Sequence, residues 1–327
     1  MSTRSRQRAW TANEAHDQSA IWCPAVSPAV APARNRIRLN TVRAASPATR
    51  WQEALNPPIY LVSILPGLGV PLLAQAGGVT HPLGLALATL AVVLLQHAIN
   101  LFNDAADWRL GADVEKFDSW VRVHRQRPEV ALLHGALSLL AGGLLGLAVL
   151  WSQDQWWLLW IAAPMLVLGY LYNAGPRPLS YTHLGEWVTG LCYGPGVFGC
   201  LWLVAGLPVN ASMVAGMVAF AALAAALLLS HQPPQIDTDR QAGKLSFAVR
   251  FGAERTVSVA RWLSGIFLAA LGGALLLSRP GAVGIVLASF AAILVYRQWR
   301  GPINPRRILL GACAFVVLGL LLQLPVR

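Results

Sequence analysis

Two groups of polar and acidic side chains stand where long apolar segments end. The first contains Asn100, Asn103, Asp104 and Asp107, and Asp113 follows in the next loop. On one helix, Asn100, Asp104 and Asp107 lie within about 60° of one another. Mg²⁺ prefers oxygen ligands and commonly joins one or two carboxylates to substrate phosphates. This spacing therefore predicts a site for Mg²⁺ and a diphosphate, and a solvated helix end is the alternative.

The second group contains Gln235, Asp237 and Asp239, with Lys244 and Arg250 after it. Gln235 and Asp239 share a helix face, whereas Asp237 points away, and a proline pair directly before the group predicts a break in the helix. Lys244 and Arg250 are predicted partners of phosphate oxygens. A surface turn, with basic residues that only set membrane topology, is the alternative.

Three more residues are candidates because the loop before residue 186 is expected to lie at the same end of the helices as the two acidic groups. An aromatic ring can stabilise a carbocation through its π face, which suggests roles for Tyr172 and Tyr181. Glu186 could orient or deprotonate a phenolic acceptor. The alternatives are interfacial anchors for the tyrosines and a first-turn helix acid for Glu186. His97, one turn before Asn100, is interpreted as a packed hydrogen-bonding neighbour.

The elements that position these residues are predicted to be transmembrane helices. The 327 residues are 56% hydrophobic and only 12% charged, against about 25% charged in soluble proteins. Continuous apolar runs without strand-like alternation predict an all-α integral membrane protein with about nine transmembrane helices in a bundle. The runs lie at about 59–76, 82–103, 130–150, 156–173, 184–206, 208–230, 262–278, 280–296 and 306–324.

Charge sets the predicted orientation of these helices. With nine spans, all of the 25 Lys and Arg residues except Arg279 and Arg327 fall on one side. The positive-inside rule then predicts a cytoplasmic N-terminus and an outside C-terminus, with both acidic groups at the cytoplasmic face. The same split explains the net charge of +11, so no nucleic-acid partner is expected.

The chain divides into a short tail and one membrane domain. Residues 1–50, rich in Arg, Ser and Pro, predict a disordered basic N-terminal tail, with an overextended start as the alternative. Residues 51–327 form the predicted transmembrane domain. Three of the four cysteines lie inside apolar runs and none forms a CxxC pair, so buried thiols are expected rather than a disulfide or metal framework.

Three motifs in order resemble those of the UbiA family of intramembrane prenyltransferases, over about residues 52–324. The spacing most resembles the branch that contains 1,4-dihydroxy-2-naphthoate polyprenyltransferases. Gln235 stands where the family usually has an acid, and Leu55-Asn56-Pro57-Pro58 replaces the basic residue expected before the first span. The motifs are Asn100-x-x-Asn103-Asp104-x-x-Asp107-x-x-x-Gly111-x-Asp113, Tyr172 to Glu186, and Asp237-Thr-Asp239-Arg240-Gln-Ala-Gly243-Lys244 running to Gly252.

The resemblance implies Mg²⁺-dependent transfer of a polyprenyl group from a polyprenyl diphosphate to an aromatic acceptor within the lipid bilayer. The implied acceptor is a quinone precursor similar to dihydroxynaphthoate; hydroxybenzoate, porphyrin and sugar phosphate acceptors occur in other branches. Asp104, Asp107 and Asp239 are the expected metal ligands, with Glu186 as a further catalytic residue. The implied location is a bacterial inner membrane.

A transporter or proton-coupled carrier is the alternative from another functional class, because intramembrane acids and broken helices also occur in carriers. A carrier needs acids near the bilayer midplane and access from both sides. Here both acidic groups are predicted at one face, and the opposite loops are short and nearly uncharged. The pattern therefore favours an enzyme.

Overall fold

The computed structural model describes residues 51–74, 78–111, 116, 118–173, 178–279 and 281–323. The predicted disordered tail, residues 1–50, lies outside these ranges, as do Asp113 and the loop segment 174–177. Every regular element within the described ranges is helical, which confirms the predicted all-α class.

The α-helices are numbered along the described chain, and a π-helical segment, Cys192–Gly199, joins α7 to α8. They are α1 (Trp51–Leu55), α2 (Leu61–Leu73), α3 (Pro82–Leu110), α4 (Trp120–Val123), α5 (Pro128–Ser152), α6 (Leu159–Asn173), α7 (Gly185–Leu191), α8 (Cys200–Val204), α9 (Ala211–His231), α10 (Ile236–Gln241), α11 (Phe247–Phe251), α12 (Ala253–Ser278), α13 (Ala282–Arg300) and α14 (Pro305–Leu321).

Each of the nine apolar runs of the sequence overlaps a helical segment of the described residues. Eight helical segments of the described chain are long and apolar enough to cross a membrane. The ninth run corresponds to α14, which has 17 residues. Each of the eight segments has at least 18 residues, so α14 is one residue short of that length. The count of nine spans and the orientation of the chain therefore stay predictions.

Topology can be tested with reporter fusions. A phosphatase reporter fused after Arg327 should be active outside the cytoplasm, because nine spans starting in the cytoplasm end on the other side. The same reporter placed after Arg125, between α4 and α5, should be inactive. An inactive phosphatase after Arg327 would contradict the nine-span arrangement if a fluorescent protein that folds only in the cytoplasm is fluorescent at the same position.

The first acidic group is placed by the way α3 ends. Gly111, with a φ of +83°, caps the helix, and its backbone N–H donates to the carbonyl oxygens of Asp107 and Trp108. A left-handed residue at this position is a common helix terminator and favours glycine. The predicted interruption near Gly111 is confirmed, and Asp104 and Asp107 lie in the last two turns of α3.

The second acidic group follows a break in the chain. Helix α9 ends at His231, a 3₁₀ turn spans Pro233–Gln235, and α10 begins at Ile236. Proline removes a backbone donor and clashes with the preceding turn, so the helix cannot continue regularly through this pair. The predicted break is confirmed, and it separates Gln235 from the regular part of α10.

Close packing of aromatic and small residues holds the bundle together. The Phe198 ring stacks on Phe220 with centroids 5.1 Å apart, and Phe220 packs edge-on against Phe267 at 5.8 Å. Helices α3 and α5 approach closely at Gly142, where a Cβ atom would lie 3.0 Å from the carbonyl oxygen of Ala91. Small residues allow such close backbone approach within membranes.

Candidate active site

Asp104 is buried, and each of its carboxylate oxygens accepts a hydrogen bond. The residue is only 5% exposed. Oδ2 accepts a hydrogen bond from the Trp120 backbone N–H at 2.7 Å, and Oδ1 accepts one from Lys116 Nζ at 3.0 Å. Burying a carboxylate is costly unless it is paired and hydrogen-bonded. Asp104 is therefore held between a backbone donor at the start of α4 and the ammonium group of Lys116.

Asp107 collects side chains from three parts of the chain. It is 1% exposed. Its Oδ2 accepts hydrogen bonds from Asn103 Nδ2 and Lys244 Nζ, each at 3.1 Å, and its Oδ1 accepts one from the Tyr181 hydroxyl at 2.9 Å. One carboxylate thus joins the first acidic group, the middle loop and the segment after the second acidic group.

Lys244 links the second acidic group to the first. Its side chain is 14% exposed, and its ammonium lies 5.0 Å from the centroid of the Tyr181 ring. The Lys244 backbone N–H donates to the Asp239 carbonyl oxygen at 2.8 Å, and Asp239 Oδ2 accepts from Ser246 Oγ at 2.8 Å. The ion pair between Lys244 and Asp107 brings together the two groups that the sequence separates by more than a hundred residues.

Glu186 lies in a second buried network beside these residues. It is 2% exposed, and its Oε1 accepts hydrogen bonds from Gln232 Nε2 and from the Phe247 backbone N–H. Gln232 Oε1 in turn accepts from the Ala248 backbone N–H at 3.2 Å. Glu186 Oε2 is buried with no hydrogen-bond partner among the described residues. This oxygen therefore keeps an unused position for accepting a hydrogen bond.

A large cavity adjoins the polar residues. Its volume is about 1320 Å³, larger than the roughly 300–1,000 Å³ of typical small-molecule sites. Most of its lining is apolar and comes from α2, α3, α5, α6, α9 and the π-helical segment, but Asn100 and Tyr172 also line it. The polar site and a long apolar cavity are therefore continuous at these two residues.

Three of the predicted residues lie elsewhere. The Arg250 guanidinium donates to His183 Nδ1 at 3.1 Å and lies 5.4 Å from the Phe251 ring centroid. Gln235 is exposed at the helix break. Asp237, whose side chain is 87% exposed, pairs with Arg240 of the same short helix at 3.2 Å. Contacts of Arg250 and Gln235 with a diphosphate stay predictions, and Asp113 lies outside the described residues.

Sequence reasoning missed four residues of the site. Lys116 was treated as topological charge, although it binds Asp104. Trp120 had no pattern that connects it to Asp104, because its backbone rather than its side chain makes the bond. Ser246 and Gln232 hold Asp239 and Glu186. The available signal was position: Gln232 and Ser246 flank the second acidic group on either side.

The donor set fits Mg²⁺ bound together with a diphosphate. Within the described ranges, no group of three or more His, Cys, Asp or Glu side chains is arranged to hold a metal by itself. Mg²⁺ usually takes one or two carboxylates and completes its shell with water and substrate phosphates. The carboxylates of Asp104 and Asp107, with Lys116 and Lys244 beside them as phosphate partners, match that pattern.

Comparison with known proteins decides the family. The model of the UbiA prenyltransferase family matches residues 61–308. The chain belongs to the UbiA prenyltransferase family. It is a prenyltransferase, and the expected family membership is confirmed together with the enzyme class. The carrier alternative is thereby set aside.

Similar proteins have names that refer to naphthoquinone or dihydroxynaphthoate substrates. The chain is 26% identical over 283 residues to the 2-carboxy-1,4-naphthoquinone phytyltransferase of Synechocystis sp., covering 84% of this chain and 91% of that protein. It is 33% identical over 212 residues to the 1,4-dihydroxy-2-naphthoate octaprenyltransferase of Mycobacterium tuberculosis, covering 63% and 71%.

Solved structures of UbiA proteins share the fold. A UbiA homolog from Archaeoglobus fulgidus, bound to DMAPP and Mg²⁺, has a TM-score of 0.61 at 17% identity, covering 83% of this chain and 98% of that one. The apo structure of a UbiA homolog from Aeropyrum pernix K1 has a TM-score of 0.60 at 15% identity, covering 82% and 98%. The protein is therefore an all-helical integral membrane protein.

Proposed function

We propose that this enzyme transfers a polyprenyl group from a polyprenyl diphosphate to an aromatic quinone precursor similar to dihydroxynaphthoate, and that the reaction depends on Mg²⁺. The observation that carries the proposal is the position of Asp107. Its carboxylate binds Lys244 and Tyr181 beside a large apolar cavity. A single site can therefore bind an anion, a metal ion and an apolar tail.

The diphosphate end of the donor would lie between Asp104, Asp107 and Asp239. These three carboxylates would hold Mg²⁺, which would supply positive charge to stabilise the diphosphate leaving group. Lys116 and Lys244, now paired with Asp104 and Asp107, would donate hydrogen bonds to phosphate oxygens. Asn100 and Asn103, on the same turns of α3, would add neutral oxygen or nitrogen contacts.

The acceptor would lie where the polar residues meet the cavity. The Glu186 Oε2 atom, which is buried without a partner among the residues described, would orient one hydroxyl group of the acceptor. Tyr172 and Tyr181 would turn aromatic faces toward the cation as the C–O bond to diphosphate breaks. These roles rest on the same residues that the sequence motifs indicate.

The prenyl tail would extend into the apolar part of the cavity. Gly143 of α5 lines the cavity, and a Cβ atom built there meets nothing within 4 Å. Gly143→Leu should fill this space and lower kcat/KM for a long donor severalfold more than for geranyl diphosphate, because the four added carbon atoms displace tail contacts. The measurement is kcat/KM for donors of increasing length.

Gly265→Leu is the matched control for the tail prediction. Gly265 also has no atom within 4 Å of a built Cβ, but it is not among the residues that line the cavity. Equal loss with all donors in Gly143→Leu, or the same chain-length effect in Gly265→Leu, would contradict placement of the tail beside α5.

The reaction would take place at the cytoplasmic face of a bacterial inner membrane. The basic residues Lys116 and Lys244 lie at the polar end of the site, and the positive-inside rule assigns such basic loops to the cytoplasm. A water-soluble diphosphate head and a lipid-soluble tail would both be accommodated there.

Product analysis tests the proposed function. Purified protein in lipid nanodiscs is incubated with Mg²⁺, prenyl diphosphates of several lengths, and a panel of dihydroxynaphthoate, hydroxybenzoate, a porphyrin and a sugar phosphate. We expect mass spectrometry to detect a decarboxylated prenylated naphthoquinol, and pyrophosphate in equal amount. A product formed only from another acceptor would overturn the naphthoate assignment while leaving prenyl transfer intact.

A further inference from the structure

Three histidines and one tyrosine form a continuous chain beside the first acidic group. The Tyr60 hydroxyl lies 2.6 Å from His97 Nδ1. His97 Nε2 lies 3.4 Å from His134 Nε2, and His134 Nδ1 lies 3.2 Å from His124 Nε2. Tyr60 directly precedes α2, His97 lies in α3, His134 lies in α5, and His124 directly follows α4. None of these contacts is used by the function proposed above.

The arrangement is a chain rather than a metal centre. His97 and His134 each use both ring nitrogens, and these nitrogens lie on opposite sides of the ring. A metal ion needs one nitrogen from each histidine pointing at a common centre. No group of three metal-binding side chains occurs in the described ranges, in agreement with this geometry.

Hydrogen-bond direction can be consistent along the whole chain. A neutral imidazole has one N–H donor and one bare nitrogen acceptor. If the Tyr60 hydroxyl donates to His97, then His97 can donate to His134, and His134 to His124. The reverse orientation is equally consistent. Moving from one orientation to the other shifts one proton by one bond at every link, so a proton enters at one end and leaves at the other.

The two ends of the chain reach different surroundings. Tyr60 lies close to the side chain of Asn100, and Asn100 lines the large cavity. His124 is half-buried and is followed by the exposed residues Arg125 and Arg127. Burial, and then the neighbouring His134, lower the pKa of His124, which favours the neutral ring that can both accept and donate. The chain thus connects the polar end of the cavity with the aqueous phase.

Trp120 covers the chain and ties it to the acidic group. Its ring packs edge-on against His97 and His134, with centroids 5.0 and 5.2 Å away, and lies nearly parallel to His124 at 6.2 Å. The backbone N–H of the same residue donates to Asp104. A bulky ring that excludes water favours transfer through the imidazoles rather than through solvent.

We propose that Tyr60, His97, His134 and His124 form a proton relay between the acceptor site and water, an inference that rests on the proposed function. As the acceptor carbon bonds to the allylic carbon and the C–O bond to diphosphate breaks, the acceptor's hydroxyl proton leaves through the relay. When carbon dioxide departs, the electron pair of the broken C–C bond restores the aromatic ring and leaves a phenolate. A proton returning through the relay neutralises that phenolate.

The relay is tested with His134→Gln in the full-length protein in nanodiscs, assayed with Mg²⁺, a prenyl diphosphate and dihydroxynaphthoate. Glutamine keeps polar contacts, but its amide cannot accept a proton at one atom and release another as an imidazole ring does. We expect kcat to fall about tenfold, KM for both substrates to stay unchanged, and the solvent deuterium isotope effect on kcat to rise. Added imidazole should restore part of the turnover. His81→Gln, exposed at the start of α3, should behave like wild type.

His124→Gln provides a second variant at the half-exposed end, so a folding defect of His134→Gln does not decide the question. Wild-type kcat and isotope effect in both variants would overturn the relay. So would lower kcat with an unchanged isotope effect and no rescue by imidazole, because that outcome indicates a packing role alone. No product from the wild-type protein would overturn the proposed function itself, before any variant is compared.

Discussion

Asp104→Asn is expected to lower kcat by about 1000-fold, the scale of effect seen when one group that stabilises transition-state charge is removed. The side chain is nearly isosteric, and an amide oxygen can still accept the hydrogen bond from the Trp120 backbone N–H. What is lost is the negative charge that faces Lys116 and the predicted metal. Steady-state turnover at saturating Mg²⁺, with protein insertion checked by yield and thermal stability, measures the effect.

Asp237→Asn is the matched control for that variant. Asp237 belongs to the second acidic group, but its side chain is 87% exposed and pairs with Arg240. Its replacement should leave kcat close to wild type, since exposed ion pairs contribute little. Comparable losses in the two variants would indicate that general charge, rather than the buried carboxylate of Asp104, controls turnover.

Lys244→Met is expected to raise KM for the prenyl diphosphate about 30- to 100-fold, because hydrogen bonds to charged groups contribute about 1.5–3 kcal/mol. The lysine is 14% exposed and is held by Asp107 and the Tyr181 ring, so its ammonium is already oriented when the donor arrives. KM for the aromatic acceptor should change little. Initial-rate measurements with each substrate varied in turn separate the two constants.

Lys244→Arg and Arg240→Gln complete the comparison. Arginine keeps the charge and should recover much of the donor affinity. Arg240 lies in the last turn of α10, four residues before Lys244, with its side chain 61% exposed, so neutralising it should leave the donor KM unchanged. If Lys244→Met loses thermal stability but keeps the wild-type donor KM, the lysine only locks the fold.

The helices could be predicted from the sequence because membrane burial demands long, continuous apolar runs. The ends of α3 and α9 were also predictable, since Gly111 and the proline pair at Pro233–Pro234 terminate helices for local steric reasons. The count of spans was less accessible, because α14 is one residue shorter than the length criterion.

The candidate site was only partly predictable. The acidic residues stood out because carboxylates are expensive near a membrane. Lys116 and Arg250 have the same residue class and similar positions after their acidic groups, yet Lys116 binds Asp104 while Arg250 binds His183. That difference depends on how the loops fold back, which no spacing rule contains. The histidine chain was hidden for the same reason, because its members come from four separate segments of the sequence.

The central claim is that the two acidic groups form one diphosphate site, and donor binding tests it most directly. Calorimetric titration with geranyl thiolodiphosphate, an unreactive donor analogue, needs no turnover. The account predicts Mg²⁺-dependent binding to wild type, and weakening by at least tenfold both in Asp104→Asn, from the first group, and in Asp239→Asn, from the second. Wild-type affinity in Asp239→Asn would contradict a shared site.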